Sequence, residues 1–174
     1  MTFVDLLGFL FPGPEDTRDF PDFYDLLLQA RGVVSASEIS SPNHVDDRGQ
    51  PCLIVAKNGP STGTTFGRVN GLESVKRTYA YSEHDVGITK QDSLEIAVLW
   101  SRRRYDNWRG TFSAAGDSGS IVLTREGKIL GMLTGGAAPP SRTETDVTWV
   151  TPFWWLQERI KEQYPGAVLY DTGR

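Results

Sequence analysis

The run Phe112-Ser113-Ala114-Ala115-Gly116-Asp117-Ser118-Gly119-Ser120 leads into an apolar triplet, Ile121-Val122-Leu123. A serine set among very small residues suits nucleophilic acyl chemistry. Gly116 and Gly119 let the backbone turn tightly without Cβ clashes. Consecutive N–H groups in such a turn form a nest that stabilises the negative oxygen of a tetrahedral intermediate. Asp117, if buried, needs a cation or N–H donors. The alternative reading is a plain Gly/Ser/Asp turn between strands.

Ser118 is a weak nucleophile until a base takes its proton. The chain holds two histidines, His44 in "SPNHVDD" and His84 in "YSEHDVG". Asp46, Asp47, Asp85 or Asp92 could orient an imidazole. His84 reads as a loop residue between strands, which leaves His44 as the candidate base. The nucleophile elbow of α/β-hydrolases fails on two grounds. It needs glycine two residues on either side of the serine, and here Ser120 occupies the second position. A strand pattern follows the loop, where the elbow needs a helix. Two histidines and one cysteine without ligand spacing form no metal cluster, so neither a metal nor another cofactor is expected.

The elements that must position this loop follow from residue periodicity. "CLIVAKN" is a short apolar strand. "TTFGRVNG" alternates and contains Gly67, read as a kink. "SVKRTYAYS" alternates again, and "SLEIAVLWS" is apolar from Ile96 to Trp100. "IVLTREGKILGMLTG" reads as a hairpin turning at Glu126-Gly127, and "DVTWVT" is a last strand. The period then switches. Thr151 can cap a helix, Pro152 fits its first position, and Phe153, Leu156, Ile160 and Tyr164 fall on one stripe. Six or seven short strands with one terminal helix indicate an all-β fold, an antiparallel barrel or sandwich. The expected barrel spans about residues 51–151, with a helix from about Pro152 to Tyr164.

Residues 1–50 have a different grammar. They carry nine acidic and three basic residues, against thirteen and fifteen in 51–174, and this shift places a boundary near residue 50. Prolines at 12, 14, 21 and 42 interrupt the segment. One helix is expected from Asp22 to about Ala30, and a second turn at Ser35 with Glu38 as a capping box. Phe3, Leu7, Phe9, Phe11, Phe20, Phe23 and Leu27 are too apolar to stand in water. Residues 1–50 are therefore expected to be an irregular extension packed on the barrel.

A net charge of −4 leaves no basic footprint for nucleic acid. No run is long and apolar enough to span a bilayer, so no membrane partner is expected. MTFVDLLGFLF lacks a positive flank and does not read as a signal peptide. One cysteine, Cys52, allows no intramolecular disulfide, which favours an intracellular, cytoplasmic setting.

"GDSGS" followed by "IVLTREGKILGMLTGG" resembles the nucleophile loop and following hairpin of the chymotrypsin-like serine peptidases, the two-barrel clan that includes trypsin. "IVAKNGPSTGTTFGRVNG" resembles the entry into their second barrel, and "DVTWVT" with the helix after it resembles their last strand and C-terminal helix. Residues 51–164 together resemble one second barrel. The chain is also similar to fungal proteins with such a peptidase-like C-terminal half. The resemblance implies that Ser118 is the nucleophile and that the N–H groups of Gly116 and Ser118 form the oxyanion hole. It puts Phe112 at the base of the specificity pocket, making that pocket apolar or filling it. It makes Thr134, Gly135 and Gly136 the strand edge that pairs with substrate backbone.

In this family the histidine comes from the first barrel, in a motif that neither His44 nor His84 matches. Three functions follow as expectations. One is a serine peptidase-like domain that lacks its own base and depends on a missing first barrel or a partner chain. The second is a non-catalytic barrel that binds peptides or proteins. The third is a compact, complete peptidase using His44. Ser118 is expected at the surface in a tight turn, with no imidazole in hydrogen-bonding reach.

Overall fold

The apolar run after Cys52 forms strand β1, Leu53–Gly59, and the following turn leads into β2, Gly63–Tyr81. The computed structural model describes residues 8, 10, 28–46, 48–81, 88–100, 110–137 and 147–169. Four more strands follow: β3 (Ile88–Trp100), β4 (Ile121–Thr124), β5 (Ile129–Ala137) and β6 (Val147–Pro152). Helices α1 (Ala36–Ser40) and α2 (Phe153–Gln163) flank them among the described residues. The strands pair in the order β1-β2-β3-β6-β5-β4 and close on themselves through β4 and β1. Every pairing between them is antiparallel. The chain is thus a mostly antiparallel β fold with a C-terminal helix.

Two stretches read separately in the sequence are one strand. "TTFGRVNG" and "SVKRTYAYS" run together as β2, with a register shift against β3 between Val69 and Glu73. The irregularity therefore falls at 70–72 and not at Gly67. Gly67 serves the core: a Cβ there would stand 2.5 Å from Val98 Cγ1 and 2.8 Å from Phe112 Cδ2. Alternation puts Val55, Val69, Ile96, Val98, Val122 and Val150 in the interior, with Leu130 and Phe112. Each such burial contributes roughly 1.5–3 kcal/mol.

Residues 31–46 run as a strap over the β4–β5 hairpin. Arg31 N donates to Gly127 O (2.7 Å), Val34 N to Ile129 O (3.0 Å), and Ile129 N to Gly32 O (3.0 Å). Val34 and Ile39 join the barrel core. The Ser35–Glu38 capping box forms as its spacing predicts, and α1 follows it. Glu38 also pairs with Lys128 of the hairpin. Leu10 is buried, and its carbonyl accepts from Arg125 (3.5 Å). Of the helix expected from Asp22, residues 28–30 are not helical and the remainder lies outside the described residues. Phe3, Leu7, Phe9, Phe11, Phe20, Phe23 and Leu27 also lie outside them.

At the other end, Pro152 precedes α2 and no side chain caps it. Thr151 does not cap the helix; its hydroxyl donates to Glu95 (2.8 Å). The apolar stripe is covered only over its first turn. Phe153 and Leu156 are half-buried, whereas Ile160 and Tyr164 are exposed.

Candidate functional site

The loop 112–120 lies between the barrel interior and the start of β4. Asp117 anchors it. The residue is fully buried, and its carboxylate accepts five hydrogen bonds. Oδ1 takes the N–H groups of Ser61 (2.8 Å) and Thr62 (3.2 Å). Oδ2 takes the Thr62 hydroxyl (2.7 Å), Ala114 N (3.0 Å) and Lys57 Nζ (3.1 Å). The Lys57 side chain is as buried as that of Asp117. Its three protons reach three acceptors: Asp117, Gly63 O (3.1 Å) and Thr62 Oγ1. Burial by itself pushes the Asp117 carboxyl up. The Thr62 hydroxyl, the N–H groups of Ala114 and Ser61, and the Lys57 ammonium outweigh that and hold it well below the usual carboxylate range.

This network ties the Ser118 loop to the β1–β2 turn. It also explains Gly59, where a Cβ would stand 2.4 Å from Asp117 Oδ1 and 2.9 Å from Ser120 Oγ. The sequence pointed to the need for partners at Asp117 but not to their identity. The available signal was Lys57, a charge inside the apolar strand pattern of "CLIVAKNG".

The same bonds fix where two N–H groups point. Ser61 Oγ donates to Ala115 O (2.7 Å). In a trans peptide the N–H points opposite the C=O, so Gly116 N–H is turned away from Ser61. Asp117 O accepts from Ser120 N (3.1 Å) and Ser120 Oγ (2.7 Å). Ser118 N–H, in the same peptide unit, is turned the other way. Among the described residues neither N–H has an acceptor. Gly116 has φ +99°, a left-handed conformation that suits only glycine well. Ser118 is exposed in a tight turn, and its hydroxyl has no hydrogen-bond partner among the described residues.

His44 is not at Ser118. Its Nε2 lies 2.6 Å from Glu126 Oε1, on the turn between β4 and β5, and its Nδ1 is buried without a partner. Ser118 precedes β4 and Glu126 follows it. The length of that strand, about 3.3 Å per residue, separates them. Burial pushes the Glu126 carboxyl up, and the hydrogen bond and charge of His44 then bring it down to about 2. Asp46 and Asp92 orient no histidine. Asp46 accepts from Arg48 N (2.8 Å), Gln50 N (2.9 Å) and Arg68 (2.5 Å), and Asp92 pairs with Arg77 (2.6 Å). His84, Asp47 and Asp85 lie outside the described residues.

Phe112 is 1 % exposed and belongs to the core. Its ring packs among the core side chains. Beside it, Ser113 and Thr148 are buried and share a hydrogen bond of 2.6 Å.

Thr134, Gly135 and Gly136 lie on β5, which pairs with β6 as far as Ala137. On its other side, β4 pairs only as far as Met132. Gly119 N and Ser120 O add two bonds to Leu133. Beyond Leu133, among the described residues, that side of β5 pairs with no strand. The free edge therefore starts where the Ser118 loop ends.

No group of His, Cys, Asp and Glu suited to a metal occurs among the described residues, and none of their helices is long and apolar enough to cross a membrane. Compared with known proteins, the chain matches no protein-family model and no curated protein.

Proposed function

We propose that this chain is a serine peptidase-like domain, built like the second barrel of a trypsin-like peptidase, that binds extended peptide and lacks its own base. One observation carries the reading. Among the described residues, the N–H groups of Gly116 and Ser118 are unpaired beside an exposed serine, in a loop pinned by a buried carboxylate. Such donors, fixed before any ligand arrives, bind a carbonyl oxygen and bind it more strongly once it carries negative charge. A peptide pairing with Thr134–Gly136 would deliver its carbonyl to that corner by strand addition.

The chemistry stops at the proton. Attack by Ser118 Oγ on a carbonyl carbon requires a base for its hydrogen, and His44 is engaged with Glu126. Hydrolysis then depends on an imidazole supplied by a missing first barrel or a partner chain. Without one, the domain is a peptide- or protein-binding barrel. The reading of a complete peptidase using His44 is disfavoured by the same contact.

A fluorophosphonate probe and an amide titration test this together. On the isolated chain at neutral pH, Ser118 is expected to stay unlabelled. The amide signals of Gly116 and Ser118 are expected to shift when short blocked peptides are added. Labelling abolished by His44→Ala would establish a complete peptidase instead. Unmoved amides would remove the peptide-binding site.

A further inference from the structure

Gly135 sits on the free part of β5, opposite Trp149 of β6, after a bulge that follows Leu133. Leu133 points into the core, so the bulge turns Gly135 to the outer face. Among the described residues, a Cβ on Gly135 would meet one atom within 4 Å, the Nζ of Lys76 at 3.9 Å. Lys76 belongs to the part of β2 beyond its own irregularity, where it pairs with Ser93. Its ammonium therefore stands over the β5 edge. It has no carboxylate partner among the described residues.

The other charge on this face is already engaged. Glu95 is 4 % exposed. Its oxygens accept from Thr151 (2.8 Å), Ser93 (2.9 Å) and Thr134 (3.5 Å). Glu95 is enclosed among hydroxyls, whereas Lys76 is only half-buried.

We infer that the Lys76 ammonium selects an acidic side chain on a peptide bound along β5. The geometry follows from antiparallel pairing. Residues directly opposite one another point to the same face, with Cβ atoms about 4.5–5.5 Å apart. The peptide residue opposite Gly135 therefore directs its side chain to the face where Lys76 waits. The missing side chain at Gly135 leaves that space open. An aspartate or glutamate there forms an ion pair at the β5 edge, and a lysine meets like charge. The enclosed Glu95 carboxylate partly offsets the ammonium's field, so the preference is moderate. Roughly threefold to tenfold between glutamate and lysine is the scale expected for a partly exposed pair.

This inference rests on the peptide-binding reading of the β5 edge, and one experiment separates the two. Short blocked peptides of threonine and valine carry a single glutamate, glutamine or lysine, moved stepwise along the peptide. Binding to the full chain is followed by anisotropy, and the amides of Thr134–Ala137 report where the peptide sits. Glutamate at one position should bind about threefold to tenfold tighter than lysine. Lys76→Met should remove the difference and Lys76→Glu should reverse it. Peptides that bind at the β5 edge with no charge preference, or with one that survives Lys76→Glu, would overturn the inference and leave the edge as a binding site. If no peptide moves these amides, both readings fail. Lys76 is half-exposed and unpaired, so neither substitution threatens the fold, and an unchanged melting temperature checks this.

Discussion

Lys57→Met puts the support of the Ser118 loop to the test. Methionine keeps most of the length and volume of lysine and removes the charge. In the variant the Asp117 carboxylate stays fully buried with four donors in place of five: Ser61 N, Thr62 N, Ala114 N and the Thr62 hydroxyl. Removing one member of a buried pair costs about 3–5 kcal/mol, because the other charge is left uncompensated. Both side chains have no exposed surface, so solvent screening does not reduce this. At roughly 2–4 °C per kcal/mol for a chain of this size, the melting temperature should fall by about 6–20 °C. Denaturant unfolding at neutral pH measures the loss directly. The double variant Lys57→Met, Asp117→Asn should recover part of it, because a neutral amide needs no counter-ion. The pH dependence has a definite sign. The wild-type carboxyl is held below its ordinary value of 3.8. Its stabilisation is complete above that value and is lost as pH falls through the depressed one. The gap between wild type and Lys57→Met therefore narrows in acid. A loss below about 1 kcal/mol at neutral pH, or a gap that widens in acid, would refute the reasoning.

Two further outcomes are expected. Gly59→Ala drives a methyl to 2.4 Å from Asp117 Oδ1, which should cost about 1–3 kcal/mol by overpacking and shift the amide signals of Gly116 and Ser118. Acid should release the strap: Glu38, bonded to Lys128 and Ser35, and Glu126, bonded to His44, are each held at about 2 against an ordinary 4.5. Their stabilisation is full above 4.5 and is lost as pH falls towards 2, so limited proteolysis within residues 31–46 should rise over that interval, and equal resistance at both ends of it would contradict the assignment.

The elements legible in the sequence were those with local causes. The apolar run of β1, the Glu126-Gly127 hairpin, the Ser35–Glu38 box and the period switch into α2 all depend on neighbours in sequence. What depends on partners distant in sequence was not legible. Gly67 looks like a kink in isolation and is a seat for Phe112. Thr151 looks like a helix cap and is drawn instead to Glu95. His44 reads as a candidate base for Ser118, and its partner Glu126 lies on a hairpin that only the closed sheet and the strap bring near. Lys57 and Asp117 are likewise joined by the fold alone, sixty positions apart in the chain.

The "GDSGS" loop is weaker support for chemistry than its wording suggests, because most of its parts hold the barrel together. Asp117, Lys57, Thr62, Ser61 and Gly59 form one network joining the β1–β2 turn to the start of β4. The Ser120 hydroxyl closes its own turn on Asp117 O. All of these would persist in a domain that never met a substrate. The informative groups are the ones this network leaves unused: the N–H of Gly116, and the N–H and hydroxyl of Ser118. Both residues are exposed, so water satisfies their polar groups at little cost and a ligand carbonyl has only to displace it. A corner serving stability alone gains nothing from turning two donors outward beside a strand edge that no described strand covers. It is that conjunction, more than the serine motif, that argues for a binding site here.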